Sequence, residues 1–307
     1  FHNHIAEASG TVAMLAAAMQ GFTYSFTLHG PYIFFKPYQW RLDEKIKRAL
    51  FVCCISNFAR SQGMIFANPE KWQQMHIVHC GIDPSLFKPV THKGEGKRLL
   101  FIGRLAAAKG LPILLESLVT LQKKYPNILL TVIGDGPERK QLEAKTIQLG
   151  LSGNVDYVGA KSQTQVREYL QQTDIFVMSS FAEGVPVVLM EAMETGIPVV
   201  ATQIAGVSEL VEHQINGYLV PPGDTTSLSD HIDILLNNPD IRVLFGANAR
   251  QKVKDEFNIG YEVSWLYQVM NSALQGRIEP IRPDYQSQPA ILNTNLVPEH
   301  LLLKTNK

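Results

Sequence analysis

The stretch Leu99-Leu100-Phe101-Ile102-Gly103-Arg104-Leu105-Ala106-Ala107-Ala108-Lys109-Gly110 joins a run of large apolar side chains to a glycine turn and then to a helix start. An apolar run without polar alternation marks a strand buried on both faces, as in a parallel sheet flanked by helices. Arg104 and Lys109 fall just past the strand's carboxyl end, where open α/β sheets receive ligands. The planar guanidinium of Arg104 and the point charge of Lys109 together suit a diphosphate. Taken alone, the two read first as solvated loop cations. The turn is not a Walker loop, because Lys109 is followed by Gly110 and Leu111 in place of Ser or Thr.

Outward from this unit the pattern repeats. Apolar runs at 24–28, 50–55, 98–103, 128–133, 154–158, 175–178 and 198–201 alternate with helical segments at 9–19, 110–124, 137–149, 162–171, 186–194 and 227–237. The alternation is regular from Arg98 to Ala201 and predicts an α/β fold of parallel sheets wound with helices. Pro89, Gly94 and Gly96, set among charges at 87–97, predict a linker. The expected organisation is a first domain over 1–88, a second over 89–258, a helix over 259–275 and a tail over 276–307. In the helix Tyr261, Trp265 and Val269 recur about once per turn, and the Pro-, Gln- and Asn-rich tail reads as disordered. Residues 1–88 fall short of the roughly 100–150 typical of a domain, so the first domain is expected to be incomplete at its front. The chain opens on Phe1 inside a folded pattern, which reads as a fragment or a processed product.

Composition narrows the classes. Of 307 residues, 45% are hydrophobic and 18% charged, as in a globular protein with a sizeable core. Lys+Arg and Asp+Glu balance at 28 each, so no basic excess points to nucleic acid. No apolar run approaches the ~20 residues that span a bilayer, and no signal segment opens the chain. Cys53, Cys54 and Cys80 have no metal-ligand spacing; the adjacent pair should face opposite sides of a strand, and all three read as reduced core residues of a cytoplasmic protein.

Two further units carry chemistry. Ile133-Gly134-Asp135-Gly136-Pro137-Glu138-Arg139 is again strand, glycine turn and helix, but Arg139 replaces the third glycine of a dinucleotide fingerprint and no ribose-binding acid follows, which argues against NAD. Its glycines let backbone approach a ligand closely or simply make a tight turn. Ser179-Ser180-Phe181-Ala182-Glu183-Gly184-Val185-Pro186-Val187-Val188-Leu189-Met190-Glu191-Ala192 is the most specific. Pro186 suits a first helical turn, leaving the N–H groups of Val187, Val188 and Leu189 as donors at a positive helix end, a ready anion site. Glu191, on an otherwise apolar helix, needs a partner, and a pair of sugar hydroxyls is a suitable one. There is no Asp-x-Asp and no cluster at metal spacing, so no metal is expected.

The paired carboxylates Glu183 and Glu191 with Glu-Gly-x-Pro at their start, preceded by Gly-Arg-Leu and Lys-Gly, resemble the family-four retaining glycosyltransferases, which have the GT-B fold of two Rossmann-like domains facing a cleft. Supporting matches are Thr27-Leu28-His29-Gly30, Ile55-Ser56-Asn57, Gly81-Ile82-Asp83, Phe87-Lys88-Pro89 and Gly206-Val207-Ser208-Glu209, with Asn216 to Asp224 resembling a following loop. The resemblance runs from about His2 to Tyr267.

It implies that Arg104 and Lys109 bind the donor diphosphate, that Glu191 holds the nucleotide ribose, and that Glu183 faces the transferred sugar, with Gly103, Gly134 and Gly184 also at the donor site. His29 would reach the reaction centre from the first domain, although alone it reads as a structural histidine, and the base would lie near Val158 to Lys161. The reaction implied is sugar transfer, with retention, from a nucleotide-diphosphate sugar to a saccharide or lipid-linked acceptor, with the nucleotide sugar as co-substrate and no other cofactor. In similar proteins the last helix crosses back to the first domain. They also carry an opening strand with a glycine-rich turn, and without it weak catalysis or none is expected, with nucleotide binding retained. A nucleotide-binding GT-B module without activity, or another GT-B enzyme such as a phosphorylase or epimerase, stays open as an alternative. The mixture of aromatics and cations at 33–41 can mark a peripheral contact with the inner face of the cell membrane or a lipid acceptor, or else a packed loop.

Overall fold

The structure, a computed structural model, describes residues 1–90, 96–277 and Arg282. The middle of the expected linker and most of the expected tail lie outside the described residues.

Two parallel sheets organise the chain. The first contains β1 (His2–Asn3), β2 (Ser25–Leu28), β3 (Val52–Cys54) and β4 (Met75–Ile77) in the order β1-β2-β3-β4, with α1 (Ala8–Gln20), α2 (Tyr32–Phe35), α3 (Leu42–Arg48) and α4 (Asn57–Ile65) between them. The second contains β5 (Arg98–Ile102), β6 (Leu129–Ile133), β7 (Val155–Gly159), β8 (Ile175–Met178), β9 (Val199–Thr202) and β10 (Gly217–Val220). Its helices are α5 (Leu111–Lys124), α6 (Arg139–Gln148), α7 (Gln163–Gln171), α8 (Val187–Glu194), α9 (Val207–Leu210), α10 (Thr225–Asn237) and α11 (Pro239–Glu256), and α12 (Ile259–Leu274) follows.

The second sheet runs β10-β9-β8-β5-β6-β7. Counted from its own first strand, this is the doubly wound order in which connections leave in opposite directions on either side of β5 and β8. The two strands pair directly, Leu99 with Ile175 and Leu100 with Phe176. The loops after β5 and β8 therefore bound the crevice that such a reversal creates. β5 is buried on both faces: Leu99 and Phe101 join one core cluster and Leu100 the other. Cys53 and Cys54 divide in the same way, Cys54 into the main core and Cys53 against Phe51, Val78 and Trp265.

Local signals set the helix ends. Ser162 and Gln165 form a reciprocal capping box at α7, and Asp224 accepts from the Ser227 amide at the start of α10. α12 packs on the first sheet: the Trp265 indole N–H donates to the Ile77 carbonyl (2.8 Å), and the Glu262 carboxylate accepts from the His79 amide (2.8 Å). The chain crosses between the halves beside this helix, where Ile82 exchanges backbone hydrogen bonds with Phe257 and Ile259.

Two expectations need correction. The stretch 216–224, expected as a loop, holds β10, which pairs in parallel with β9 and buries Tyr218 and Val220. The Asn-Gly and Pro-Pro-Gly punctuation on either side hid a four-residue strand. Cys80, expected in the core, is only half-buried. The stretch 33–41 is in part packed: Ile33 is buried and Arg41 is paired with Asp43 (3.1 Å), leaving Phe35 and Tyr38 as its exposed apolar tips.

Candidate active site

The two loops at the strand reversal are tied to each other by backbone. Phe181 donates its amide to the Ala108 carbonyl (2.8 Å), and the Ser179 hydroxyl donates to the Lys109 carbonyl (3.3 Å). This brings Lys109, at the end of a short 3-10 turn, onto Glu183 in the loop after β8, with Nζ 2.5 Å from Oε1. The same Oε1 accepts from the Ser180 hydroxyl at 2.7 Å. The pair is largely withdrawn from water, with side-chain exposures of 26% and 11%, so each charge is screened less than a surface ion. Arg104 is exposed, and its side chain makes no hydrogen bond or ion pair among the described residues. Gly103 and Gly134 lie at the ends of β5 and β6, and Val158 and Lys161 at the end of β7 and just beyond it. The Gly134 amide donates to the Gly159 carbonyl, and Gly103 to Ile133, so the three strand ends are stitched edge to edge.

The glycines of the second turn have a clear spatial reason. A Cβ on Gly134 would lie 1.9 Å from the Gly103 carbonyl oxygen, and one on Gly136 would lie 2.3 Å from that of Leu105. They make room for the neighbouring turn.

α8 opens with an exposed pair of donors. Its N-cap is Pro186, which has no side chain to cap the helix and stands one position before the first turn in which the sequence placed it. Of the three amides expected to be free, Leu189 is engaged by the Pro186 carbonyl (3.2 Å); Val187 and Val188 have no acceptor among the described residues. Two unmet donors at a positive helix end remain an anion site. Glu191 sits farther along α8, half-buried, with burial raising its carboxyl above the usual range against a smaller opposing pull from Arg167. No hydrogen bond or ion pair joins Arg104, Lys161 or Glu191 to the other candidate side chains among the described residues.

His29 faces this rim from the end of β2. A Cβ on Gly184 would come within 2.3 Å of the His29 carbonyl oxygen, so only glycine lets the two halves meet there. The His29 ring is half-buried, and burial first, then the nearby His4, push it down to about 4, so it is neutral at physiological pH. Its Nδ1 lies 3.4 Å from the Cys80 Sγ and its Nε2 lies 3.2 Å from the His4 Nδ1. These groups line a cavity of about 370 Å³ whose wall is mostly apolar and includes Val187 from α8 and Leu266 from α12.

The sequence reading missed a second junction. Glu209, at the end of a matched motif, accepts from the Asn57 amide (2.7 Å), the Phe58 amide (2.8 Å) and the Asn57 side chain (3.0 Å). The next two amides of α4, Ala59 and Arg60, bond the hydroxyl and carbonyl of Ser56. All four amides of that helix start are thus met, two of them by a carboxylate from the other sheet's domain. Ser56-Asn57 was legible as a capping signal, but nothing in the sequence shows an acceptor 152 positions away. Since losing a helix cap costs about 0.5–2 kcal/mol, Glu209→Ala is expected to favour an open form by up to about thirtyfold. Small-angle scattering should show a larger radius of gyration for Glu209→Ala than for the parent chain; identical profiles would deny the junction that role.

Two parallel α/β domains meeting at a cleft, the second doubly wound and the first with its four described strands in sequence order, with two cations and an open helix end at the strand reversal, define the GT-B class. The chain belongs to the glycosyl transferases group 1 family, whose model matches residues 83–252. It is 33% identical over 196 residues, 61% of its length, to the amylovoran biosynthesis glycosyltransferase AmsK of Erwinia amylovora. That match covers 48% of AmsK, and the chain spans about half the length of the curated relatives it matches. Among solved structures, HepE of Anabaena in complex with UDP superposes with a TM-score of 0.77 at 22% identity, covering 86% of this chain and 76% of HepE. Sucrose-phosphate synthase of Thermosynechococcus elongatus superposes with a TM-score of 0.80 at 22% identity, covering 90% and 73%. Among the described residues no helix is long and apolar enough to cross a membrane.

Proposed function

We propose that this chain carries the donor site and part of the acceptor side of a retaining glycosyltransferase that moves a sugar from a nucleotide-diphosphate sugar to a saccharide or lipid-linked acceptor in polysaccharide or glycoconjugate assembly. The observation that carries the reading is that Lys109 is held by Glu183 at a strand reversal, in the loop that leads into the uncapped start of α8. The naming of AmsK for amylovoran biosynthesis and the UDP complex of HepE support the polymer and the donor class respectively.

In this reading the bond between the anomeric carbon and the diphosphate oxygen breaks, and negative charge grows on the leaving diphosphate. Lys109, Arg104 and the Val187 and Val188 amides supply fixed positive potential there, which costs no reorganisation during reaction. Glu191 accepts from the ribose hydroxyls; a carboxylate already half removed from water gains more from such bonds than an exposed one. The base rests against main chain near Val158 to Lys161. Glu183 and His29 face the sugar from opposite sides of the cleft, and retention follows from same-face attack, with the leaving phosphate oxygen taking the acceptor hydroxyl's proton. The nucleotide sugar is the co-substrate, and the reading requires no further cofactor and no metal. At 33–41 the cation Arg41 is held by Asp43 and Glu44, which offsets its pull on an anionic lipid.

The test is a thermal-shift panel of UDP, GDP and ADP with their common sugar conjugates. A ligand at 100 times its Kd stabilises by about 2.7 kcal/mol. One nucleotide should raise the Tm, and Arg104→Ala and Glu191→Ala should each remove the rise. No shift with any nucleotide would sink the donor assignment.

A further inference from the structure

His29 is the one candidate site residue with both ring nitrogens engaged by other side chains. Three strand ends of the first sheet bring this about: His4 follows β1, His29 follows β2 and Cys80 follows β4, and all three line the same cavity. A neutral imidazole carries one proton, and which nitrogen holds it decides whether the ring offers the cleft a donor or a lone pair. Burial pushes the Cys80 thiol up to about 11, so its sulfur carries a proton at physiological pH and can donate weakly.

We propose that Cys80 is a positioning residue that fixes His29 as its Nε2–H tautomer, so that the ring presents a hydrogen-bond donor to the transferred sugar. The thiol S–H donates to His29 Nδ1 across 3.4 Å, which leaves the ring proton on Nε2. In the free protein that proton is donated to His4 Nδ1, 3.2 Å away, and His4 stands as the resting acceptor. A sugar hydroxyl entering the cavity replaces His4, and the ring meets it as a donor without having to change tautomer. The His4 side is exposed and the Cys80 side is not, so the contact that selects the tautomer is the inner one. The inference rests on the reading that His29 faces the sugar; the tautomer itself does not.

The experiment therefore separates the two. In the full chain labelled with 15N-histidine, the His29 signal is assigned by its loss in His29→Gln. The expected spectrum shows Nδ1 as the unprotonated nitrogen, retained in Cys80→Ser, which keeps a donor, and lost or averaged in Cys80→Ala. A protonated Nδ1 in the parent chain, or a Cys80→Ala spectrum unchanged from it, overturns the proposal. With the donor identified by thermal shift, Cys80→Ala should lower kcat about tenfold, the worth of one neutral hydrogen bond, with donor KM little changed and recovery in Cys80→Ser. A kcat unaffected by Cys80→Ala alongside the expected spectra overturns the assigned role while leaving the tautomer in place. Absence of any nucleotide binding by the parent chain would instead count against the sugar-transfer reading.

Discussion

Lys109→Ala is expected to lower turnover of the nucleotide-sugar donor by about 10²–10³-fold, the loss measured when one preorganised group is taken from a developing anion. Two effects act in the same direction. On the proposed mechanism the cation that meets the leaving diphosphate is gone, and the Glu183 carboxylate, 11% exposed, is left with the Ser180 hydroxyl as its hydrogen-bonding partner among the described residues. Unit charges about 4 Å apart interact by about 4 kcal/mol at an effective dielectric constant of 20, so an uncompensated carboxylate beside the diphosphate opposes binding as strongly as the lysine favoured it. Glu183→Gln in the same chain should therefore recover part of the loss, and the double variant should be less impaired than the two single effects combined. The stability cost should stay below the ~3–5 kcal/mol of a fully buried broken pair, because Lys109 is still reached by water. Steady-state kinetics with labelled donor and a melting curve give both numbers. Lys124→Ala, which removes an exposed partner of Asp233 far from the cleft, is the control. Turnover of Lys109→Ala within threefold of that control would remove Lys109 from the mechanism.

Gly134→Ala is expected to destabilise the second domain by about 3–5 kcal/mol, at the upper end of single-site effects, and to lower Tm by about 10 °C. Its φ of 137° lies in a region that side chains avoid, and the added Cβ would meet the Gly103 carbonyl oxygen at 1.9 Å. Neither side can yield, since Gly103 is bonded to Ile133 and Gly134 to Gly159. Gly150→Ala isolates the conformational part: φ is 71° and a Cβ there meets nothing within 4 Å, so its cost should be about 1 kcal/mol. Differential scanning calorimetry of the two variants distinguishes steric conflict from strain; equal shifts would mean that the turns separate easily. The donor site should fall with Gly134, because the same stitching places Gly103 and its neighbour Arg104.

Much of the fold was legible because a strand buried on both faces leaves an unbroken apolar run. β5, β6 and β8 were readable in this way, and the helices between them carried caps or glycine turns at their ends. Short strands with a half-exposed face or strong turn residues beside them were not: β4 spans Met75–Ile77 with two half-buried residues, and β10 sits between Asn-Gly and Pro-Pro-Gly. α11 was passed over although Ile241, Phe245, Ala249 and Val253 recur every four residues, because Val243, Leu244 and Ala247 blur that stripe and charged residues crowd the end of the helix. In the site, Arg104, Lys109 and Glu183 stood out because loops at strand ends are read in sequence order. That Lys109 would rest on Glu183, 74 positions on, depends on β5 and β8 being neighbours. Sequence order is likewise blind to the contacts of His29 with His4 and Cys80, since three separate strands bring those residues together.

The junction between the two halves has a consequence for how such a molecule can change. Glu209 addresses the main-chain amides of Asn57 and Phe58, and Gly184 rests on the main-chain carbonyl of His29. Backbone amides and carbonyls are alike for every residue but proline, and of the Glu209 contacts only the one from the Asn57 side chain depends on which residue stands there. Side chains along the opposing half can therefore be exchanged for a different acceptor while the seam stays readable to its partner. A chimera joining this second domain to another relative's first domain should dock in the same geometry, provided that it keeps a helix start opposite the glutamate.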